Sequence, residues 1–590
     1  MGARWDLSDL YQSFEEPAFS QDWETLEKII AELENWQPPV SAEAVTGTEE
    51  FLQLMKKFQH YYTRLMAFAR LQLSVEAQNE QAEKIVEKLE KISTRLTGPK
   101  VKFQRWLQKQ DVDQLKSDSS LIFEHDFILK ELQKKSEYLL SEKEEVLVSE
   151  LKRTGSSAWA RLQQKLTSTL MVSITVEGEE KELPLSVVRN FAYKEDPELR
   201  QKGYEAELKA YEKIDDSVAA ALNGIKGEVL TMVEKRGYKS PLHKTLLDSR
   251  MERETLDVML ETMKEFLPVF QKYYRVKGEL LGHEDGLPFY DLFAPVGEAD
   301  MEFSFAEAKD FILENVGRFS SRMAELFRKA FQENWIDAEP REGKRGGAFC
   351  YNIHPIGESR VLSNFSGSFS DMTTLAHELG HAYHGYCLKD ENILNTDYPM
   401  PLAETASIFS ETVVINAARE EADEEQTLAI LQNRLDQAGQ VIVDIYSRFL
   451  FESWLFENRD QASLSVEELK ELIQQAQIDA YGPGLDHDYL HPYLWLNKPH
   501  YYSAGNNYYN FPYAFGLLFG LGVYSQYLQE ESQKFLDRYD ELLRCTGSKK
   551  VADVAAMADI DVKQRDFWEN SLEIINDDID RFVELAENRK

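Results

Sequence analysis

Residues His377-Glu378-Leu379-Gly380-His381 set two imidazoles four positions apart with a carboxylate between them. On a helix, residues four apart lie one turn above each other on the same face, so both rings can reach a single zinc ion. Glu378 is offset toward the position that a catalytic zinc leaves open for water, where a carboxylate can take a proton from that water. The chemistry such a group could do is hydrolysis.

A catalytic zinc needs a third protein ligand. The downstream candidates are His384, Glu391, Asp397, Glu404 and Glu411. His384 shares the face of His381, but at a rise of about 1.5 Å per residue it lies about 10.5 Å along the axis from His377. That is too far for three rings on one ion, and His384 suits packing or hydrogen bonding beside the ligands instead. Glu391 falls in the loop after the motif helix. Glu404 opens a second helical pattern, 402–411, that could lie against the first and present a carboxylate to the ion. Glu404 is therefore the expected third ligand. Glu411, two turns further on the same face, is spaced to accept the remaining N–H of a ligand imidazole and orient the ring. A solvated or capping carboxylate is the plainer alternative for it.

Two other segments carry chemistry. From His500 to Tyr513 the chain gathers phenols and an imidazole in a stretch short of charge. Most of these rings suit a core cluster. Hydrolysis of an acyl group through a tetrahedral intermediate also needs a hydrogen-bond donor for the developing oxyanion, and a tyrosine O–H or histidine N–H can supply it. Upstream, Gly346 and Gly347 precede an apolar strand pattern over 348–353. Such an edge lets an extended substrate backbone approach closely and add as a further strand. An ordinary flexible loop is the alternative. Cys350, on that strand, reads as a buried and inert thiol.

These residues need elements to hold them. Ser370 or Asp371 can cap the motif helix, and Met372, Leu375, Ala376, Leu379 and Ala382 give it an apolar face. Amphipathic periodicity predicts further helices over 76–96, 128–152, 198–235, 252–277, 305–332, 426–457, 466–479 and 565–588. Val172, Ile174 and Val176 alternate before Glu177-Gly178-Glu179, with Leu183 and Leu185 after, so 170–186 predicts a hairpin. The fold class is mainly α, with a small β-sheet near the expected zinc site. A boundary near 190–200 divides an N-terminal helical lobe, 1–195, from a catalytic region, 196–590. Loop-rich stretches fall at 282–301 and 337–347.

Composition narrows the partners. At 590 residues the chain exceeds one compact core. Its net charge of −36 argues against nucleic acid, because phosphate binding needs a basic surface. That acidity could favour basic ligands, although solubility alone accounts for it. Three scattered cysteines make no disulfide framework and fit a reducing compartment. The N-terminus lacks a secretory h-region, and the longest uncharged apolar run, 511–524, is short for a membrane span. The expectation is a soluble cytoplasmic protein with no membrane partner.

The motifs together resemble the oligoendopeptidase F branch of the thimet oligopeptidase-like zinc peptidases. The resemblance rests on His377-Glu-Leu-Gly-His381-Ala-Tyr-His384 and on Glu404 in Leu402-Ala-Glu-Thr-Ala-Ser, 23 residues past His381. Trp5-Asp-Leu-Ser-Asp-Leu-Tyr11, Lys344-Arg-Gly-Gly-Ala-Phe-Cys350 and the aromatic run after His500 add to it. The segments between 20 and 190 are generic amphipathic helices without a match. The resemblance implies a two-lobed helical ellipsoid with a deep substrate channel, one zinc ion per chain, and access for short unfolded peptides only. It also implies that His500 and Tyr513 steady the transition state, with Tyr509 as a second tyrosine. The spacing leaves the choice among Tyr508, Tyr509 and Tyr513 open. The expected activity is zinc-dependent endopeptidase cleavage of short oligopeptides. A dipeptidyl carboxypeptidase with the same zinc site, and a catalytically inactive peptide-binding protein, are the alternatives.

Overall fold

The structure is a computed structural model that describes residues 3–40, 43–297, 301–530 and 532–589. It is 71% helical with only small sheets, as the periodicity predicts. Packing divides it into two compact units that interleave along the sequence. The first comprises Met1–Leu139, Met301–Ala417 and Gln526–Ile560. The second comprises Leu140–Asp300, Ala418–Ser525 and Asp561–Lys590. The expected boundary near 190–200, between an N-terminal helical lobe and a catalytic region, is not among the places where this division cuts the chain.

In the first unit, N-terminal helices bury Phe51, Phe58, Leu65, Phe68, Leu89 and Phe103 in one core. That core also takes Ile353, with Phe349 and Tyr351 packed against it. These three belong to a three-stranded sheet in the order β3 (Ile336–Asp337), β5 (Glu358–Leu362), β4 (Phe349–Ile353). Strands β4 and β5 are antiparallel, while β3 runs parallel to β5. The pattern at 348–353 predicts β4; β3 and β5 are too short or too polar at their ends to stand out. The N-terminal Trp5-to-Tyr11 segment is a packing element of this sheet. Trp5 lies 6.4 Å from Phe349, and the fully buried Arg360 donates to the Asp6 carbonyl at 2.8 Å.

Several predicted helices are broken by caps. The pattern at 76–96 is not continuous with what precedes it: a helix ends at Val75 and another runs Glu80–Arg95, with the Asn79 side chain accepting from Ala82 N–H at 3.0 Å. The stretch 128–152 divides into Asp126–Ser136 and Glu142–Thr154, because Ser141 and Glu144 close a capping box. Amphipathic period continues through such breaks, while the cap residues end the helix.

In the second unit, β1 (Met171–Val176) and β2 (Glu179–Pro184) form the predicted hairpin. Its two turn residues, Glu177 and Gly178, both have positive φ (55° and 82°), which matches the twist of paired strands. Val172 and Ile174 enter a core with Val218, Leu222 and Ile225. Leu185 departs from the strand pattern and starts a short helix, Leu185–Arg189. The predicted helix 426–457 is three pieces: Glu424–Gly439, a π-helical turn at Gln440–Asp444, and Ile445–Arg459. No helix among the described residues is long and apolar enough to cross a membrane.

Candidate active site

The motif helix runs Phe369–Cys387. Its cap is Ser368, not Ser370 or Asp371; Asp371 instead occupies the third helical position and closes a capping box with Ser368. The predicted apolar face is buried: Met372, Leu375, Ala376, Leu379 and Ala382 are each at most 1% exposed. The opposite face carries the chemistry. The His377 and His381 rings are 5.0 Å apart, and one oxygen of Glu404 lies 3.2 Å from His377 Nε2 and 3.5 Å from His381 Nε2. These three side chains form the group of His, Cys, Asp or Glu ligand atoms, among the described residues, that could hold a metal ion.

Glu404 stands immediately before the helix Thr405–Glu421, its carbonyl accepting from Ile408 N–H at 3.0 Å. Ser407 Oγ donates to the Glu404 carboxylate at 2.8 Å and aims it. Glu411 accepts from His377 Nδ1 at 2.9 Å, which leaves Nε2 for an ion. What lets this segment approach is Gly380. A Cβ there would fall 2.5 Å from the Ala406 carbonyl oxygen and 2.6 Å from Ser407 Cα. Asn352 of β4 braces the other side, donating to the His381 carbonyl at 3.2 Å while accepting from Ser359 at 2.7 Å. Gly380, Ser407 and Asn352 escape the sequence reading. An isolated glycine inside a helical pattern is a signal for close packing, but it does not name the neighbour.

The other candidates lie elsewhere. His384 is fully buried, stacks on Tyr398 with ring centres 4.2 Å apart, and bonds Thr546 Oγ1 at 2.8 Å. Thr546 already donates to the Leu543 carbonyl, so the imidazole Nε2–H is the donor here. Glu391 pairs with Arg544 at 2.7 Å. Gly346 and Gly347 are exposed, Gly347 with φ of 79°. They lead into β4, which pairs on one side only. Lys344 holds that loop in place. Its buried ammonium reaches Asp337 Oδ1 at 2.8 Å and the carbonyls of Asp337 and Glu339 at 3.0 and 3.1 Å. Burial pushes the Cys350 thiol well above its ordinary value, consistent with an inert cysteine.

His500, Tyr509 and Tyr513 belong to the second unit. The His500 ring is 4.9 Å from Tyr509, and the Tyr513 hydroxyl donates to that of Tyr509 at 3.4 Å. Tyr508 turns the other way. With φ of 51° it points into the core against Phe449 and Phe456, and its N–H donates to Glu452 at 2.9 Å. Of the three tyrosines left open by spacing, Tyr509 and Tyr513 share a cluster with His500 and Tyr508 does not.

The sequence model of peptidase family M3 matches residues 190–574, and that of oligopeptidase F matches residues 106–171. The chain belongs to peptidase family M3. Within it, the chain is similar to oligopeptidase PepF of Bacillus subtilis, 24% identical with 98% of this chain and 87% of that protein covered. An oligoendopeptidase F homologue of Borreliella burgdorferi is likewise 24% identical, with 97% and 96% covered. Among solved structures, oligoendopeptidase F from Enterococcus faecium superposes with a TM-score of 0.72 at 18% identity, over 97% of this chain and 99% of that one. A Chlamydophila abortus crystal structure reaches 0.85 at 20% identity, over 99% and 98%.

As an M3 oligoendopeptidase the chain is a metallopeptidase, and its site electrostatics fit a cation. Burial pushes the His377 imidazole down, but hydrogen bonds and charges from Glu404 and Glu411 outweigh it and hold the group well above its ordinary value. Burial also opposes ionisation of Glu404, yet His377 and His381 bring its carboxyl down to about 2. The carboxylates of Glu404 and Glu411 favour positive charge beside His377, while burial pushes the His381 imidazole down to about 4 and keeps it neutral, the form that can ligate a metal. Glu378, 8% exposed, is pushed up to about 7 by burial, with the neighbouring carboxylates adding to the rise. A buried carboxyl near neutrality can both take and release a proton.

Proposed function

We propose that this M3 peptidase is a zinc-dependent enzyme of the cytoplasm that hydrolyses internal bonds of short oligopeptides, with one zinc ion per chain. The observation that carries the reading is the convergence of His377 Nε2, His381 Nε2 and a Glu404 oxygen. Those atoms would hold the ion, and Glu411 would keep the His377 ring turned toward it. A zinc ion held there would supply Lewis acidity, which makes water a stronger nucleophile and a carbonyl a better electrophile.

The chain's own residues do the rest. A Glu378 oxygen takes the proton of the attacking water, holds it in a buried setting that tolerates the neutral carboxyl, and delivers it to the leaving amine nitrogen. Tyr513 and His500 donate to the oxyanion that develops on the scissile carbonyl, the Tyr513 hydroxyl turning its one proton from Tyr509 toward the substrate and accepting from Tyr509 instead. The unpaired edge of β4, entered through Gly346 and Gly347, takes the substrate backbone as an added strand, a mode that tolerates many side chains. The catalytic machinery in this reading draws on the region from residue 196 onward.

Glu378→Gln tests the assignment, because it keeps the side-chain shape and removes the proton acceptor. It is expected to retain a full complement of zinc and to lose turnover of a short internally quenched peptide by about 10²-fold or more. Retained zinc with near wild-type cleavage would overturn the mechanism.

A further inference from the structure

The second unit encloses a cavity of about 270 Å³ that the chemistry above does not use. It falls just below the usual range of ligand pockets, roughly 300–1,000 Å³, and so suits a ligand smaller than most. Phe289 and Tyr290 form apolar wall, and Arg200, Glu207, Asp444, His491 and Lys498 bring charge. Most of that charge is already answered inside the protein. Arg200 donates to Asp291 at 2.6 Å, with both residues buried. Glu207 accepts from Tyr211 at 2.7 Å and lies 3.3 Å from Arg189 and 3.4 Å from His491 Nε2. Asp444 pairs with Arg448.

Two groups on the cavity are left over. The Lys498 ammonium has no hydrogen-bond or ion-pair partner among the described residues. His491, only 3% exposed, has a buried Nδ1 without a partner. A third feature points the same way. Gln440 and Asp444, at the two ends of the π-helical turn, both line the cavity. A π-turn gives up regular helical bonding and recurs at functional sites.

We propose that this cavity binds the carboxylate of a small organic acid with an apolar side chain, the chemistry of a peptide's free C-terminus. Lys498 is the anchor for the carboxylate, the His491 Nδ1, an acceptor because Nε2 faces Glu207, takes the amide N–H next to that carboxylate, and the aromatic wall takes the side chain. Naming a peptide as the source rests on the proposed peptidase function; the match between an unanswered ammonium and a carboxylate does not. Burial, reinforced by the charges of Arg448 and Arg189 and only partly offset by Asp444 and Glu207, pushes Lys498 down to about 8, and a bound carboxylate would add the direct counter-charge that these more distant groups do not give.

The test is calorimetric titration of the full-length, zinc-loaded Glu378→Gln protein with N-acetyl-L-phenylalanine, its amide and inorganic phosphate. The acid is expected to bind at least tenfold more tightly than the amide and more tightly than phosphate. Adding Lys498→Met is expected to remove the difference between acid and amide, and Lys498→Arg to restore part of it. Equal binding of acid and amide, or a difference that survives Lys498→Met, overturns the proposal. Phosphate binding as tightly as the acid would overturn it too, by making the cavity a general anion site. If Lys498→Met does not fold, the acid–amide comparison and Lys498→Arg still decide. Cleavage by Glu378→Gln would sink the peptidase mechanism while leaving this binding result intact, so the two readings fail separately.

Discussion

Gly380→Ala sets close packing against helix propensity. In a helix interior, replacing glycine by alanine stabilises by up to about 1 kcal/mol. At this position the added methyl would lie 2.5 Å from the Ala406 carbonyl oxygen, and both nearest atoms belong to backbone. Ordinary Cβ contacts begin at 3.4 Å, so the segment carrying Glu404 must retreat by about 0.9 Å, since a packed interior has little slack to absorb the difference. Overpacking of this kind costs about 1–3 kcal/mol, which exceeds the propensity gain. The metal site should suffer more than the fold. Ligand distances tolerate about 0.2 Å, and the retreat carries Glu404 away from both imidazoles. The expected result is a folded protein, slightly less heat-stable, with zinc affinity down by at least tenfold. Competition titration against a chromophoric chelator reads the affinity, and thermal melts of the metal-free protein read the fold. Gly98→Ala serves as control, because nothing lies within 4 Å of its Cβ position. A Gly380→Ala protein that binds zinc as wild type and melts no lower would refute the claim that this glycine sets the approach of Glu404.

Glu411→Ala frees the Nδ1 side of His377 and should lower zinc affinity about 10- to 100-fold, with Glu411→Gln recovering part of it because the amide oxygen still accepts. Lys226→Met breaks the buried pair with Glu452 (2.7 Å) and should cost about 3–5 kcal/mol in denaturant unfolding. Replacing both Lys226 and Glu452 by methionine should cost less, and an equal loss in the double variant would argue that shape rather than charge is at stake. The lowered pKa of Lys498, about 8, gives a pH signature. Below pH 8 the lysine is charged in both states and its burial weakens the fold. As pH rises from about 8 toward the unfolded value, the native state sheds its proton first and that penalty disappears. The heat stability of Lys498→Met should therefore exceed wild type at pH 7 and converge with it by about pH 10, and a gap independent of pH would contradict the burial argument.

The local half of this protein is readable from its residues. His377, Glu378 and His381 share a helix face because 3.6 residues make a turn, and that needs no knowledge of what packs nearby. The hairpin follows from alternation around Glu177-Gly178, where the chain tolerates positive φ. The convergence of Glu404 with the two histidines was within reach, because a carboxylate beside a second helical pattern is a natural candidate for a third ligand. Helix starts were harder: Asn79, Ser141 and Ser368 begin helices through one or two local capping bonds, while the amphipathic period runs straight through them. Tertiary structure alone decided the rest, because those relations join residues far apart in the chain. Nothing near Trp5 or Arg360 says that the N-terminus seals the sheet bracing the motif helix. Nothing around His384 says that it turns to Tyr398 and Thr546, or around Tyr508 that it leaves the cluster of Tyr509 and Tyr513. The spacing of the motif determined which side chains could face a metal. How closely Glu404 can come to them depends on the missing Cβ of Gly380, a steric fact that exists only once two helices are in contact.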